Sequence, residues 1–347
     1  MFVVLGVATT HLRACDVPEV RQDLLRWADE NVVRGLRGSG AVQVRGFTDP
    51  FLMQSAVRGA AEQFFVNDQM TWLARTTGEG LPVCAFDADD LPEPIGFLVW
   101  SEDPSAHTAT LGRPRAVLWC RAGMTLRVLV LDDAGPYRRT LEELGRRAHP
   151  TWIKEVAATL AGDLALAFGA TIPLNTETSW DEVKRAWTLD RHGRPEPDRW
   201  NQGTDRVDHI NEDQLRVIRT LLGTLLLIRQ PADARRGLWQ AEEVQPTSAA
   251  RKRLRRAGAE RPDAPVRYIT LRQSIRPAAE DDRGAQDTAA RVYRHQWFVR
   301  PHRRTYPDQD DPTGFSRKWV GPYLVTPAGC ETAPILGRER VVSVLRR

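Results

Sequence analysis

Lysine, cysteine and long apolar runs are all scarce in this sequence. Only four of its 49 basic residues are lysine, which leaves 45 arginines. A high-GC genome gives such a bias, so arginine abundance alone does not point to phosphate binding. The four cysteines (Cys15, Cys84, Cys120 and Cys330) lie far apart without a C-x-x-C pair. That excludes a disulfide framework and lacks the spacing of a structural zinc site. Reduced, mostly buried thiols in a cytoplasmic protein are expected. The most apolar run, Leu221 to Ile228, is too short to span a bilayer and is bracketed by Arg219 and Arg229, so no membrane role is expected. Met1 to Thr10 is apolar but lacks a basic leading segment, and reads as a first strand rather than a signal peptide.

Catalytic signatures are missing too. The sequence has no P-loop, no G-x-S-x-G elbow and no H-E-x-x-H. Gly35, Gly38 and Gly40 follow a helical pattern instead of opening one, which makes them a poor dinucleotide fingerprint. No cofactor is implied. Asp87, Asp89 and Asp90, and again Asp308, Asp310 and Asp311, could hold Mg²⁺ or Ca²⁺ through carboxylate oxygens. Neither group has the glycine and distal glutamate of an EF-hand loop, and turn chemistry accounts for both. No metal site is assigned.

What is present is an ordinary globular composition with an uneven charge. The 347 residues are 41% hydrophobic and 27% charged, with eleven tryptophans, enough to bury a sizeable core. Residues 1–250 carry 28 basic and 34 acidic side chains, net −6; residues 251–347 carry 21 and 11, net +10. Such asymmetry points to an anionic partner, or to attraction between the two parts of the chain.

The periodicity predicts a mixed α+β protein: an acidic helical and β domain over 1–235, a basic linker with a short helix over 236–264, and a small basic antiparallel β module over 265–347. Asp16 and Glu19 open a helix carrying Val20, Leu24, Trp27 and Ala28. Asp49-Pro50 starts a second, with the stripe Val57, Ala60, Ala61 and Phe64 and a stop at Gly78. Gly96 to Trp100 reads as a buried strand, and Ala116–Cys120 and Leu126–Leu131 as a hairpin. Helical patterns return near 138–147 and 152–168. A long surface loop is expected over 188–208. Asn211 and Gln214 form a capping box for a helix that is apolar on every side, hence buried or packed against a second copy of the chain. A homo-oligomer through residues 211–230 is therefore one expectation. Strands are predicted at 266–271, 292–300, 318–325 and 341–345.

Two basic groups stand out. In the short helix, Ala250, Leu254 and Ala257 make one narrow apolar stripe, and Arg251, Lys252, Arg253, Arg255 and Arg256 cover the rest. Docked through Leu254, it would present a positive surface to phosphates; as a bare linker it would be merely solvated. The second group runs from Arg294 to Tyr306 and is joined by Arg317-Lys318-Trp319 and Pro322-Tyr323. Along an extended strand Arg300, His302 and Arg304 share a face, with Tyr306 nearby. Histidine can pass protons near neutrality and arginine can stabilise phosphorane-like charge, the residue types of a metal-independent ribonuclease or toxin-like enzyme. The same residues, with Arg294, Arg303, Trp297 and Trp319, also suit plain contact with DNA or RNA through phosphate pairing and base stacking. A charged edge guarding against aggregation is the structural alternative.

Several segments resemble a family of uncharacterised actinobacterial and actinophage proteins: Leu91-Pro92-Glu93-Pro94-Ile95-Gly96-Phe97, Leu221 to Gln230, Val266 to Arg272, and the box Trp297-x-Val299-Arg300-x-His302 with Trp319 and Pro322-Tyr323. Where the family box has glycine before the histidine and Trp-Arg after it, this chain has Pro301 and Arg303. The resemblance implies a phage or mobile-element setting rather than a reaction. A nucleic-acid-associated protein is the leading expectation, with the His302 enzyme and a non-catalytic interaction protein as alternatives.

Overall fold

The computed structural model describes residues 12–38, 42, 49–60, 62–105, 112–144, 153–154, 157–185, 211–229, 239–271, 296–299, 302–307, 314–320, 323–325 and 335–336. The expected first strand, the 188–208 loop, Asp308, Asp310, Asp311, Cys330 and the expected strand at 341–345 lie outside these residues.

The chain forms an α+β structure around one mixed eight-stranded sheet. A 3₁₀ turn (Ala14–Asp16) leads into α1 (Val17–Leu36), followed by α2 (Pro50–Gly59) and β1 (Glu62–Val66). Next come α3 (Asp68–Glu79), β2 (Cys84–Phe86), a second 3₁₀ turn (Ala88–Asp90), β3 (Ile95–Trp100), β4 (Pro114–Ala122), β5 (Thr125–Asp133) and α4 (Ala134–Leu144). The middle of the chain gives β6 (Leu160–Ala161), β7 (Leu164–Pro173), β8 (Thr176–Thr178) and two helices that we label α5 (Trp180–Arg185) and α6 (Glu212–Arg229). Then follow β9 (Trp239–Val244), α7 (Ser248–Arg256), β10 (Val266–Leu271), β11 (Gln296–Val299), β12 (His302–Pro307), β13 (Phe315–Val320), β14 (Tyr323–Val325) and β15 (Ile335–Leu336).

The large sheet runs β6-β7-β5-β4-β3-β1-β10-β9. From β3 to β6 its neighbours are antiparallel, whereas β1 lies parallel to both β3 and β10. Period-two alternation sends Phe97 and Val99 of β3 to one face and Leu98 and Trp100 to the other, and both sets are buried. Helices cover both faces, which is why this strand reads as an unbroken apolar run. One layer packs α1, α2 and α7 on Phe65, Leu118, Leu129 and Val266. The other packs α3, α5 and α6 on Phe64, Trp100, Trp119 and Val128.

The capping box opening α6 is formed: Gln214 N donates to Asn211 Oδ1 at 2.8 Å, and Asn211 N to Gln214 Oε1 at 3.0 Å. Residues 220–228 are buried on every side within this one chain, so the apolar surround needs no second copy. The crossing of α3 and α6 is very close. A Cβ on Gly78 would meet the Arg219 carbonyl oxygen at 2.1 Å, and one on Gly223 the Ala74 carbonyl oxygen at 2.3 Å.

Three expectations change. The stripe read as helical through Phe64 breaks at Gly59, and Glu62–Val66 forms β1 in the sheet centre. The helical reading of 152–168 gives way to β6 and β7 over 160–173. Apolar runs of this length fit either period, and sheet pairing decides. Residues 239–271 are not a linker and the start of a module. β10 lies between β1 and β9, with Val266 and Ile269 fully buried, so the main sheet extends to Leu271. The later strands form two small sheets, β14-β11-β15 and β12-β13. The first is mixed, since β11 and β15 are parallel.

Candidate nucleic-acid interface

β12 and β13 pair antiparallel with His302 opposite Val320, Arg304 opposite Lys318 and Tyr306 opposite Ser316. These residues form one face of a two-stranded ribbon. Arg303, Thr305, Arg317 and Trp319 belong to the other.

The second face fastens the ribbon to the body. Trp319 Nε1 donates to the Ala85 carbonyl oxygen at 2.5 Å, and the indole packs against the core beneath α3 and α6. Arg303 reaches Asp87 at 3.2 Å and Glu177 at 3.7 Å, and its guanidinium lies 5.8 Å from the Trp319 ring centre. Arg317 meets Glu177 at 3.6 Å. Asp87 is the N-cap of the 3₁₀ turn that follows β2, and Glu177 lies in β8, which pairs antiparallel with β2. Burial raises the Asp87 pKa, and the Arg303 guanidinium opposes that shift. Arg303 and Trp319 were expected as contact residues for nucleic acid. They dock the ribbon, so a phosphate or base would have to displace that packing.

The first face is open. His302, Arg304, Tyr306 and Lys318 are exposed, and the Arg304 guanidinium lies 5.5 Å from the Tyr306 ring centre. Arg304 and Lys318 enter no ion pair among the described residues. Like charges directly opposite on a sheet face repel. Lys318 was not among the expected contact residues. Its signal was its place beside Trp319: an inward indole puts its neighbour outward.

The basic helix folds as its stripe required. Ala250 and Leu254 are buried against α1, and Thr247 caps the N-terminus by accepting from Ala250 N at 3.1 Å. Its cations divide. Arg253 pairs with Glu19, while Arg251 and Arg255 approach Asp263 at 3.9 and 4.0 Å. Lys252 and Arg256 are exposed and enter no ion pair among the described residues. Exposed pairs of this kind are worth about 0–1 kcal/mol, so a phosphate can compete for their arginines.

Helix and ribbon do not share a surface. α7 belongs to the layer of α1 and α2, and the ribbon docks on the layer of α3 and α6, across the sheet. Among the described residues, four cations of the C-terminal part, Arg253, Arg267, Arg303 and Arg317, pair with Glu19, Glu62, Asp87 and Glu177 of the N-terminal part. The attraction between the two parts of the chain is thus formed in the fold. Trp297 lies on β11 opposite Val325 and Leu336. Arg294 and Arg300 lie outside the described residues, so the expected grouping of Arg300 with His302 is not described.

Asp87 and Asp90 serve structure. Asp90 Oδ2 accepts from Asp87 N at 2.9 Å, and Asp90 Oδ1 pairs with Arg229 at 2.6 Å. Among the described residues no group of three or more His, Cys, Asp or Glu is placed to hold a metal ion, and no helix is long and apolar enough to cross a membrane. Cys84 and Cys120 are buried and Cys15 is exposed. Protein-family models, curated proteins and solved structures all give no match to this chain.

Proposed function

We propose that this protein binds the backbone of nucleic acid through the open face of the β12–β13 ribbon, in a phage or mobile-element setting. One observation carries the reading. Arg304 and Lys318 stand directly opposite each other, exposed and without a carboxylate among the described residues. A backbone phosphate between them would turn mutual repulsion into two charge-assisted contacts. Tyr306, beside Arg304, offers a stacking surface for an unpaired base. The ribbon's other face is committed to docking, so the open face is held at a fixed orientation. α7 presents Lys252 and Arg256 as a separate basic patch on the opposite layer.

The test is fluorescence anisotropy with labelled single- and double-stranded oligonucleotides over a salt series. Each phosphate contact on duplex DNA contributes about −0.9 to the slope of log K against log salt. Substituting Arg304→Gln and Lys318→Gln together is expected to make that slope shallower by about 2. Absence of binding by the wild type at low salt, or an unchanged slope in the double variant, rejects the reading.

A further inference from the structure

The geometry points to a second binding site, a cleft at the carboxyl ends of β1 and β3, beside β10, that takes an organic ammonium ion with a flat apolar body. The cleft is separate from the ribbon and is an open one of about 660 Å³, within the size range of small-ligand sites. It opens where parallel strands end, the usual position of ligand crevices in open α/β sheets.

Its floor is aromatic. Phe65 and Tyr268 are register partners on β1 and β10, and their rings meet edge to face at 5.6 Å and 62°. Val244 extends this floor on β9, and Ala14 of the first 3₁₀ turn walls one side. Tyr268 is only half-buried, so part of its ring faces the cleft.

The rim is acidic. Glu242 stands directly opposite Tyr268 across β9 and β10, exposed and without an ion pair among the described residues. Asp68, in the first turn of α3, accepts from the Ser101 hydroxyl. Among the described residues, Arg13 is the one cation on the rim, and it pairs with Asp16 at 3.2 Å. Cys15 and Tyr268 are the remaining titratable groups among the described residues lining the space. An anion at the α3 N-terminus would face Asp68, and Asn67 Oδ1 already takes the Met70 N–H there at 3.0 Å. An ammonium group between Glu242 and the Tyr268 ring meets a carboxylate and an aromatic face together, while the apolar body covers Phe65 and Val244. The charge complementarity is on one side only, which selects a cation over its neutral isostere.

The experiment titrates the full chain with 2-phenylethylammonium, 2-phenylethanol and phenylacetate, following binding by saturation-transfer NMR. In parallel, the rate of Cys15 alkylation by iodoacetamide is read by peptide mass spectrometry. The ammonium is expected to bind about five- to tenfold more tightly than the alcohol, phenylacetate to show no binding, and Cys15 alkylation to slow as the ammonium saturates. Glu242→Gln, an isosteric change at an exposed position, is expected to remove the preference for the ammonium while leaving the unfolding midpoint unchanged. Equal affinity for ammonium and alcohol, an undiminished preference in Glu242→Gln, or an alkylation rate insensitive to the ammonium overturns the assignment.

Discussion

Asp132 shows how one buried side chain ties stability to pH. It is 4% exposed at the end of β5, accepts from the Tyr137 hydroxyl at 2.7 Å through Oδ2, and leaves Oδ1 without a hydrogen-bond partner among the described residues. Burial pushes its pKa up to about 7, helped by Asp103 and Asp133 and opposed by the Tyr137 hydrogen bond. The folded chain therefore holds a proton that the unfolded chain releases near pH 4. The associated stability is present in full below about pH 4 and is lost as pH rises through about 7, up to roughly 4 kcal/mol from this group. Asp132→Asn keeps an acceptor for Tyr137 but cannot ionise. Urea unfolding from pH 4 to 8 is expected to show a much flatter stability profile in this variant, and higher stability than wild type at pH 8. A residue of this kind looks like any other surface aspartate in the sequence, because its burial depends on the layers packed around it.

At the scale of elements, the molecule relies on close crossings and narrow stripes. Gly223→Ala places a methyl against the Ala74 carbonyl oxygen, a backbone atom that cannot turn aside. The helices must separate, at a cost of about 1–3 kcal/mol, measurable as a lower urea midpoint. Leu254 is 0% exposed and is the main apolar anchor of α7. Leu254→Ala is expected to cost about 2–5 kcal/mol, with faster amide hydrogen exchange along α7 than in α6. An unchanged exchange rate would mean that other contacts hold the helix. Both α6 and α7 were legible in the sequence, since caps and 3.6-residue stripes are local. The breaks at β1 and β7 were not. Phe64–Val66 and Leu164–Pro173 are mostly apolar runs whose period becomes two only because neighbouring strands are there to pair with them.

At the scale of the whole molecule, charge and connectivity were read unevenly. The +10 of residues 251–347 pointed either to an anionic partner or to attraction between the chain's two parts, and four of its arginines pair with Glu19, Glu62, Asp87 and Glu177. The boundary near 264 misplaced β10, which supplies a parallel neighbour to β1. A chain ending at residue 264 is accordingly expected to lose cooperative urea unfolding, because β1 would be left as an unpaired edge and the apolar surface around Val66 would be open. Cooperative unfolding of that shorter chain would show that β10 is dispensable.

Composition, capping and stripe spacing determined by themselves that this is a mixed α+β protein, with a helix apolar on every side after Asn211 and a short basic helix near residue 250. These follow from interactions within a few residues along the chain. That the first is core and the second docked was decided by the tertiary structure. Only the tertiary structure decided that Arg303 faces inward while Arg304 faces outward, that helix and ribbon lie on opposite layers, and that Tyr268 and Glu242 meet across two strands. Alternation gives two faces to every strand, but which face meets the core depends on partners more than a hundred residues away.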